Sequence, residues 1–256
     1  MGRGRRKILE SKVGVVIGAD ENLRRWLRWS QSERVAVTNS VQEELLWFPG
    51  DFLARRSPTF HFELSENHDR EEQSPLILEN VPFSTIREFY RWSMMENPHI
   101  RYDACFEEVD ALAELAEKYK IRALGWQASD RIRQQLCSGL WQLRPQTVSS
   151  KYKYLQSDSW LFQLYRAALA TVAEGLQNCT DDQMAEWRLV ASEMPAIALD
   201  LFEAQSRRHG KNYLREGGSC RFHDHDDDPH PSDCTMTLGL CPFEDMGCFK
   251  IESWGF

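Results

Sequence analysis

The chain has 256 residues, is 42% hydrophobic and 27% charged, and carries a formal charge of −8. Those proportions exclude a disordered tail, and the length allows one or two domains whose core needs no disulfides. The longest apolar runs are as short as Leu45-Leu46-Trp47-Phe48, so none crosses about 30 Å of hydrocarbon.

The charge is unevenly spread. Residues 1–34 hold nine Lys/Arg against four Asp/Glu, and the rest of the chain holds 22 against 35. An acidic body argues against nucleic acid as the main partner, and the basic arm over residues 1–32 reads as a solvated terminus. The stretch after Met1-Gly2-Arg3-Gly4-Arg5-Arg6-Lys7 is too short and too polar for a signal peptide. Arg6 stands where a myristoylation pattern needs Ser or Thr. An intracellular protein, nuclear or cytoplasmic and without a membrane partner, is expected.

Val13 to Gly18 reads as a strand, and Asp20 as the cap of a short helix through Trp26 and Trp29. Arg34 to Thr38 predicts a strand, and the apolar stretch Glu44 to Phe48 ends in the turn chemistry of Pro49-Gly50. Asp51 to Arg56 predicts a short helix stopped by Ser57-Pro58, because a residue before proline avoids helical geometry. Residues 65–75 read as a polar loop and Leu76-Ile77-Leu78 as a short strand. Pro82 opens a helix to about Met95, with Phe83, Ile86, Phe89 and Tyr90 on one face.

A clearer helix follows, with Phe106, Val109, Leu112, Ala113, Ala116 and Tyr119 at helical spacing and Glu107, Glu108, Glu114, Glu117 and Lys118 facing out. The next runs from about Ile121 to Leu143. From Pro145 to about Arg208 the pattern is helical throughout, with breaks at Thr180-Asp181-Asp182 and at Ser192. After Gly210 the periodicity stops, and a boundary is placed there.

The seven cysteines fall into two sets. Cys105, Cys137 and Cys179 stand alone and read as small buried hydrophobes. Cys220, Cys234, Cys241 and Cys248 crowd the last stretch among histidines, which in an intracellular protein points to metal before disulfides. The spacing Cys220-x2-His223-x-His225-x4-His230-x3-Cys234 is the one constellation with ligand chemistry. Zinc takes four Cys/His ligands in a tetrahedron, and a two-residue gap aims both side chains at one ion. Cys220, His223 and Cys234 are the first three candidate ligands, His225 or His230 the fourth, and Cys241 a substitute. One closed, structural zinc is the cofactor expected. The acidic run Asp224, Asp226, Asp227 and Asp228 lacks the glycine and terminal glutamate of a calcium loop.

No catalytic function is expected. No G-x-S-x-G, H-E-x-x-H, phosphate loop or G-x-G-x-x-G occurs. His61, His68, His99 and His209 stand isolated in polar surroundings. Trp26, Trp29, Trp92, Trp126, Trp141, Trp160 and Trp187 sit among apolar neighbours and suit core or dimer packing better than base stacking.

Three segments together resemble the BTB/POZ domain. Asp51-Phe52-Leu53-Ala54-Arg55-Arg56-Ser57-Pro58 resembles its first helix. Leu76-Ile77-Leu78-Glu79-Asn80-Val81-Pro82-Phe83, followed by Phe89-Tyr90-Arg91-Trp92, resembles its middle. Leu112 to Ile121 resembles its closing helix. Cys220-Arg221-Phe222-His223-Asp224-His225 resembles the tail of BTB proteins common in filamentous fungi. Two departures stand out: Phe48-Pro49-Gly50 lacks the histidine usual there, and Ser93-Met94 replaces Leu-Tyr.

The resemblance implies an α+β fold, a BTB/POZ-like core of a small sheet flanked by helices with an all-helical extension. The core is placed at 33–127, the extension at 128–208 and the Cys/His-rich tail at 209–256. It implies a protein–protein interaction module that forms a homodimer. Two alternatives stay open. One is a substrate adaptor that binds a cullin in a ubiquitin ligase, whose hydrophobic-x-acid motif is matched by Phe106-Glu107-Glu108 but not by Glu108-Val109-Asp110. The other is a transcription regulator with a zinc-bound tail, which lacks a DNA-reading helix beside the ligands.

Overall fold

Val35, Val37 and Thr38 are β-branched residues suited to a pleated surface, and the computed structural model places strand β1 at Arg34–Thr38. It describes residues 31–42, 44–68, 74–95 and 98–206, together with Arg24, Leu27, Leu214 and Phe222. The expected strand over Val13 to Gly18 lies outside these, as does the helix after Asp20 apart from Arg24 and Leu27, both helical.

Strand β2, Leu46–Pro49, runs antiparallel to β1 with Val35 opposite Phe48 and Ala36 opposite Trp47. Strand β3, Leu76–Ile77, runs parallel to β1 on its other side, with Thr38 opposite Ile77. The described sheet therefore has the order β2-β1-β3. The turn out of β1 is built by side chains. Asn39 Oδ1 accepts the N–H groups of Val41 and Gln42, and its Nδ2 donates to the Val81 carbonyl at 3.2 Å.

Helix α1, Gly50–Arg56, starts directly after β2. A Cβ on Gly50 would lie 3.2 Å from the Glu33 carbonyl oxygen, whose hydrogen bond Gly50 N–H donates at 2.8 Å. That close approach explains a glycine here. Ser57 stops α1 in extended geometry, as expected, but Pro58 then opens a second helix, α2, Pro58–His68. Ser57 is both stop and start: its Oγ accepts the Phe60 N–H at 3.0 Å, and proline suits the first helical position. The expected loop over 65–75 thus loses residues 65–68 to a helix. Helix α3, Phe83–Ser93, follows β3 and buries Phe83, Ile86, Phe89 and Trp92.

Helix α4, Phe106–Tyr119, matches its expected span, with Val109, Leu112, Ala116 and Tyr119 all buried. Helix α5, Arg122–Cys137, ends six residues short of the expected Leu143. Gly139 adopts a φ of +75° and its N–H bonds the Leu136 carbonyl, a left-handed helix stop. Helices α6 (Pro145–Tyr154), α7 (Trp160–Gly175), α8 (Asp181–Glu193) and α9 (Pro195–Ser206) resolve the long helical stretch. Ser159 caps α7, and Thr180 caps α8 in a reciprocal box with Gln183. The break expected at Ser192 falls instead at Met194-Pro195. Ser192 bonds back to the Leu189 carbonyl inside α8, whereas Met194 precedes a proline and leaves helical geometry.

The chain is a mixed α+β protein dominated by helices. It divides into two compact units. The described residues up to His99, with Tyr119–Ala123, make the first. Its core is aromatic: Phe48 stacks on Phe89 at 5.2 Å, Phe60 on Tyr119 at 4.8 Å, and Phe89 on Trp92 at 6.1 Å. The described residues of Ile100–Lys118 and those from Leu124 onward make the second, all helical, unit. Its core gathers Val109, Ile132, Leu161, Tyr165, Leu169, Trp187, Val190 and Ile197. The expected boundary at 127/128 lies inside α5. Among the described residues no helix is long and apolar enough to cross a membrane.

Candidate functional site

The sheet of the first unit has two unlike faces. Strand alternation puts Val35, Val37, Phe48 and Leu76 on one side, where Val37, Phe48 and Leu76 are buried. The other side carries Ala36, Thr38, Trp47 and Ile77. Trp47 is 50% exposed and Ile77 52% exposed, on the two strands that flank β1. Phe62 on α2 is exposed as well. A large aromatic and a β-branched residue presented to solvent from a rigid sheet suit a protein contact. The sequence points at Trp47 only weakly, since four apolar residues in a row do not say which faces water.

The second unit holds a buried charge cluster. Lys151 on α6 is 2% exposed, and its Nζ lies 2.7 Å from Asp110 Oδ1 and 2.5 Å from Glu114 Oε1, both on α4. Tyr165 on α7 donates its hydroxyl to Asp110 at 2.6 Å, and its ring lies under the ammonium at 5.2 Å. Burial pushes the Asp110 carboxyl up, against the pull of the Lys151 charge and the hydrogen bonds from Lys151 and Tyr165. Burial also raises the Tyr165 phenol well above its ordinary value, with the Asp110 charge adding to it. A second cluster joins Tyr152, Arg166 and Asp200. Tyr152 donates to Asp200 at 2.6 Å, Arg166 pairs with the same carboxylate at 2.9 Å, and burial first, then that hydrogen bond, raises the phenol. Both clusters tie helices together, and neither opens on a described cavity. Nothing in the sequence singles out Lys151, which stands in a polar Ser-Ser-Lys stretch.

The candidate metal ligands Cys220, His223, His225, His230 and Cys234, with the substitute Cys241, lie outside the described residues. Among the described residues no three His, Cys, Asp or Glu side chains are grouped to hold an ion. Two residues of the same stretch are described, and they correct the boundary at 210. Leu214 is 0% exposed and Phe222 1% exposed, and both belong to the core of the helical unit. Two isolated apolar residues carry no periodicity, so the pattern gave no sign that they are core.

The acids of the hydrophobic-x-acid motif are engaged within the chain. Glu107 pairs with Arg144 at 3.6 Å. Glu108 pairs with Arg101 at 3.1 Å and accepts the Cys105 N–H at 3.0 Å, while Phe106 meets Trp141 edge-on at 5.4 Å. Asp110 belongs to the Lys151 cluster. Cys105 is exposed at the start of α4, and Cys137 and Cys179 are half-buried, not the enclosed hydrophobes expected. His61 and His99 are exposed.

Compared with known proteins, the chain matches no family model, and no curated protein matches it.

Proposed function

We propose that this chain is a non-enzymatic protein–protein interaction module of BTB/POZ type that self-associates. The observation that carries the reading is the sheet face on which Trp47 and Ile77 stand half exposed from strands whose opposite face is core. Trp is among the residues that dominate binding energy when an interface closes over it, and it loses little side-chain entropy on docking. The segments that resemble the family, Asp51 to Pro58 and Leu76 to Phe83, fall in the same unit as that face. Sedimentation equilibrium tests the reading. The chain should sediment heavier than 29.9 kDa at micromolar concentration. Trp47→Lys with Ile77→Lys should return it to the monomer mass without lowering the melting temperature, because both side chains already face water. A monomer at every concentration would overturn self-association, and a double variant that stays dimeric would move the contact elsewhere.

The module carries, in the same proposal, one structural zinc in its tail, held by Cys220, His223, Cys234 and either His225 or His230, with Cys241 as substitute. Thiolate and imidazole donors together select zinc, and Pro229 and Pro231 reduce the entropy lost on closing the loop. Metal analysis of protein purified without chelator should give one zinc per chain. Full zinc retained in Cys220→Ser with Cys234→Ser would show that the ligand set is wrong.

A further inference from the structure

Phe222 stands two residues after Cys220 and one before His223, and its ring is part of the core of the helical unit. Leu214, eight residues earlier, is buried in the same core. The Leu214 carbonyl lies 3.4 Å from the Arg133 guanidinium and 3.6 Å from the Cys137 thiol, both on α5. The segment that bears the first two candidate ligands is therefore pinned on either side of Cys220 by residues of the body. An ion gripped by Cys220 and His223 restrains the backbone that carries the Phe222 ring. Docking Phe222 likewise restrains the two ligands. Each event removes conformational freedom that the other would otherwise have to remove.

From this we infer that metal binding in the tail and the stability of the helical unit are coupled through Phe222, so that zinc locks the unit and its loss loosens it. The inference rests on the zinc reading given above and adds a direction to it: the tail is a fastening of the core and not an appendage. An ion that binds only the docked form stabilises that form by mass action. By reciprocity, the docked ring raises the affinity for the ion by the same factor that the ion favours docking.

The test uses the full chain stripped of metal and then titrated with zinc chloride. Zinc should bind one to one and raise the melting temperature of the helical signal by about 5 °C. Cys220→Ser with Cys234→Ser should abolish both binding and shift. Phe222→Ala should melt below the parent in the metal-free state and bind zinc about tenfold more weakly, within the range usual for coupled sites. Phe222→Leu, which keeps an apolar side chain, should fold and fall between the two. One zinc bound with no change in melting temperature, or unchanged affinity in both Phe222 variants, would overturn the coupling and leave the zinc reading standing. No zinc bound at all would overturn the zinc reading and the coupling with it. The metal-free melting of the Phe222 variants then reports on the anchor alone.

Discussion

Lys151 shows how one side chain sets the local energetics of the helical unit. Its ammonium is out of water, so the charge is tolerable only because Asp110 and Glu114 answer it and the Tyr165 hydroxyl completes the Asp110 oxygens. The three partners are not equivalent. Glu114 is half exposed and water can replace the ammonium there, whereas Asp110 is largely enclosed. Lys151→Met should therefore destabilise the protein by about 3 kcal/mol, mostly through the Asp110 charge left unpaired. Adding Asp110→Asn to it should recover a large part of that loss. Urea unfolding of the three proteins checks this, and a Lys151→Met midpoint equal to the parent's would show that the cluster carries no net energy. Lys120 poses the opposite case. It follows α4 with a φ of +53°, a left-handed conformation that favours glycine. Lys120→Gly should gain about 1 kcal/mol, read as a rise in melting temperature, unless contacts of the lysine offset it.

At the scale of elements, α4 was legible because its apolar residues keep one stripe over four turns. Leu112 lies on that stripe and is buried. Leu112→Asp should abolish folding, since an unpaired buried carboxylate costs several kcal/mol; a soluble Leu112→Asp variant with the parent's melting temperature would refute the assignment. Ser57-Pro58 was read for half its meaning. A residue before proline ends a helix, and that is what α1 does. The same pair is also a cap followed by a first-turn proline, and local sequence gives no means of choosing one role over both. Ser57 also donates to the Tyr119 carbonyl, a contact across 62 positions that no local pattern encodes. The misplaced break at Ser192 has a similar cause, because serine is a cap or an interior residue according to whether its hydroxyl bonds forward or back. Gly139 was the reverse case: the helix stop was written in Ser138-Gly139, but apolar residues beyond it extended the pattern. Of the candidate site, the ligand spacing was readable and the burial of Phe222 was not, because a lone aromatic in polar sequence has no period to betray its core position.

Across the whole molecule, three phenols link the fold to pH. Tyr119 in the first unit is pushed up to about 12, by burial first and then by the Glu63 and Glu79 charges. Tyr152 and Tyr165 in the helical unit are raised further by burial and by the aspartates they donate to. A phenol whose folded-state pKa lies above its unfolded value adds stability that is complete below the unfolded value of 10.0 and is lost as pH rises through the folded value. The unfolded chain can release these protons above about pH 10, and the native chain holds them. Stability should thus stay level through neutral pH on account of these groups and fall steeply above about pH 10. Tyrosinate absorbance should lag behind that of the unfolded chain and then rise together with loss of helix. Tyr165→Phe should lose the hydrogen bond to Asp110 at pH 7, costing about 1 kcal/mol, yet show a shallower decline at alkaline pH because one of the three proton-linked groups is gone. A parent protein whose phenols all ionise near pH 10 while its helices stay intact would contradict the burial of all three.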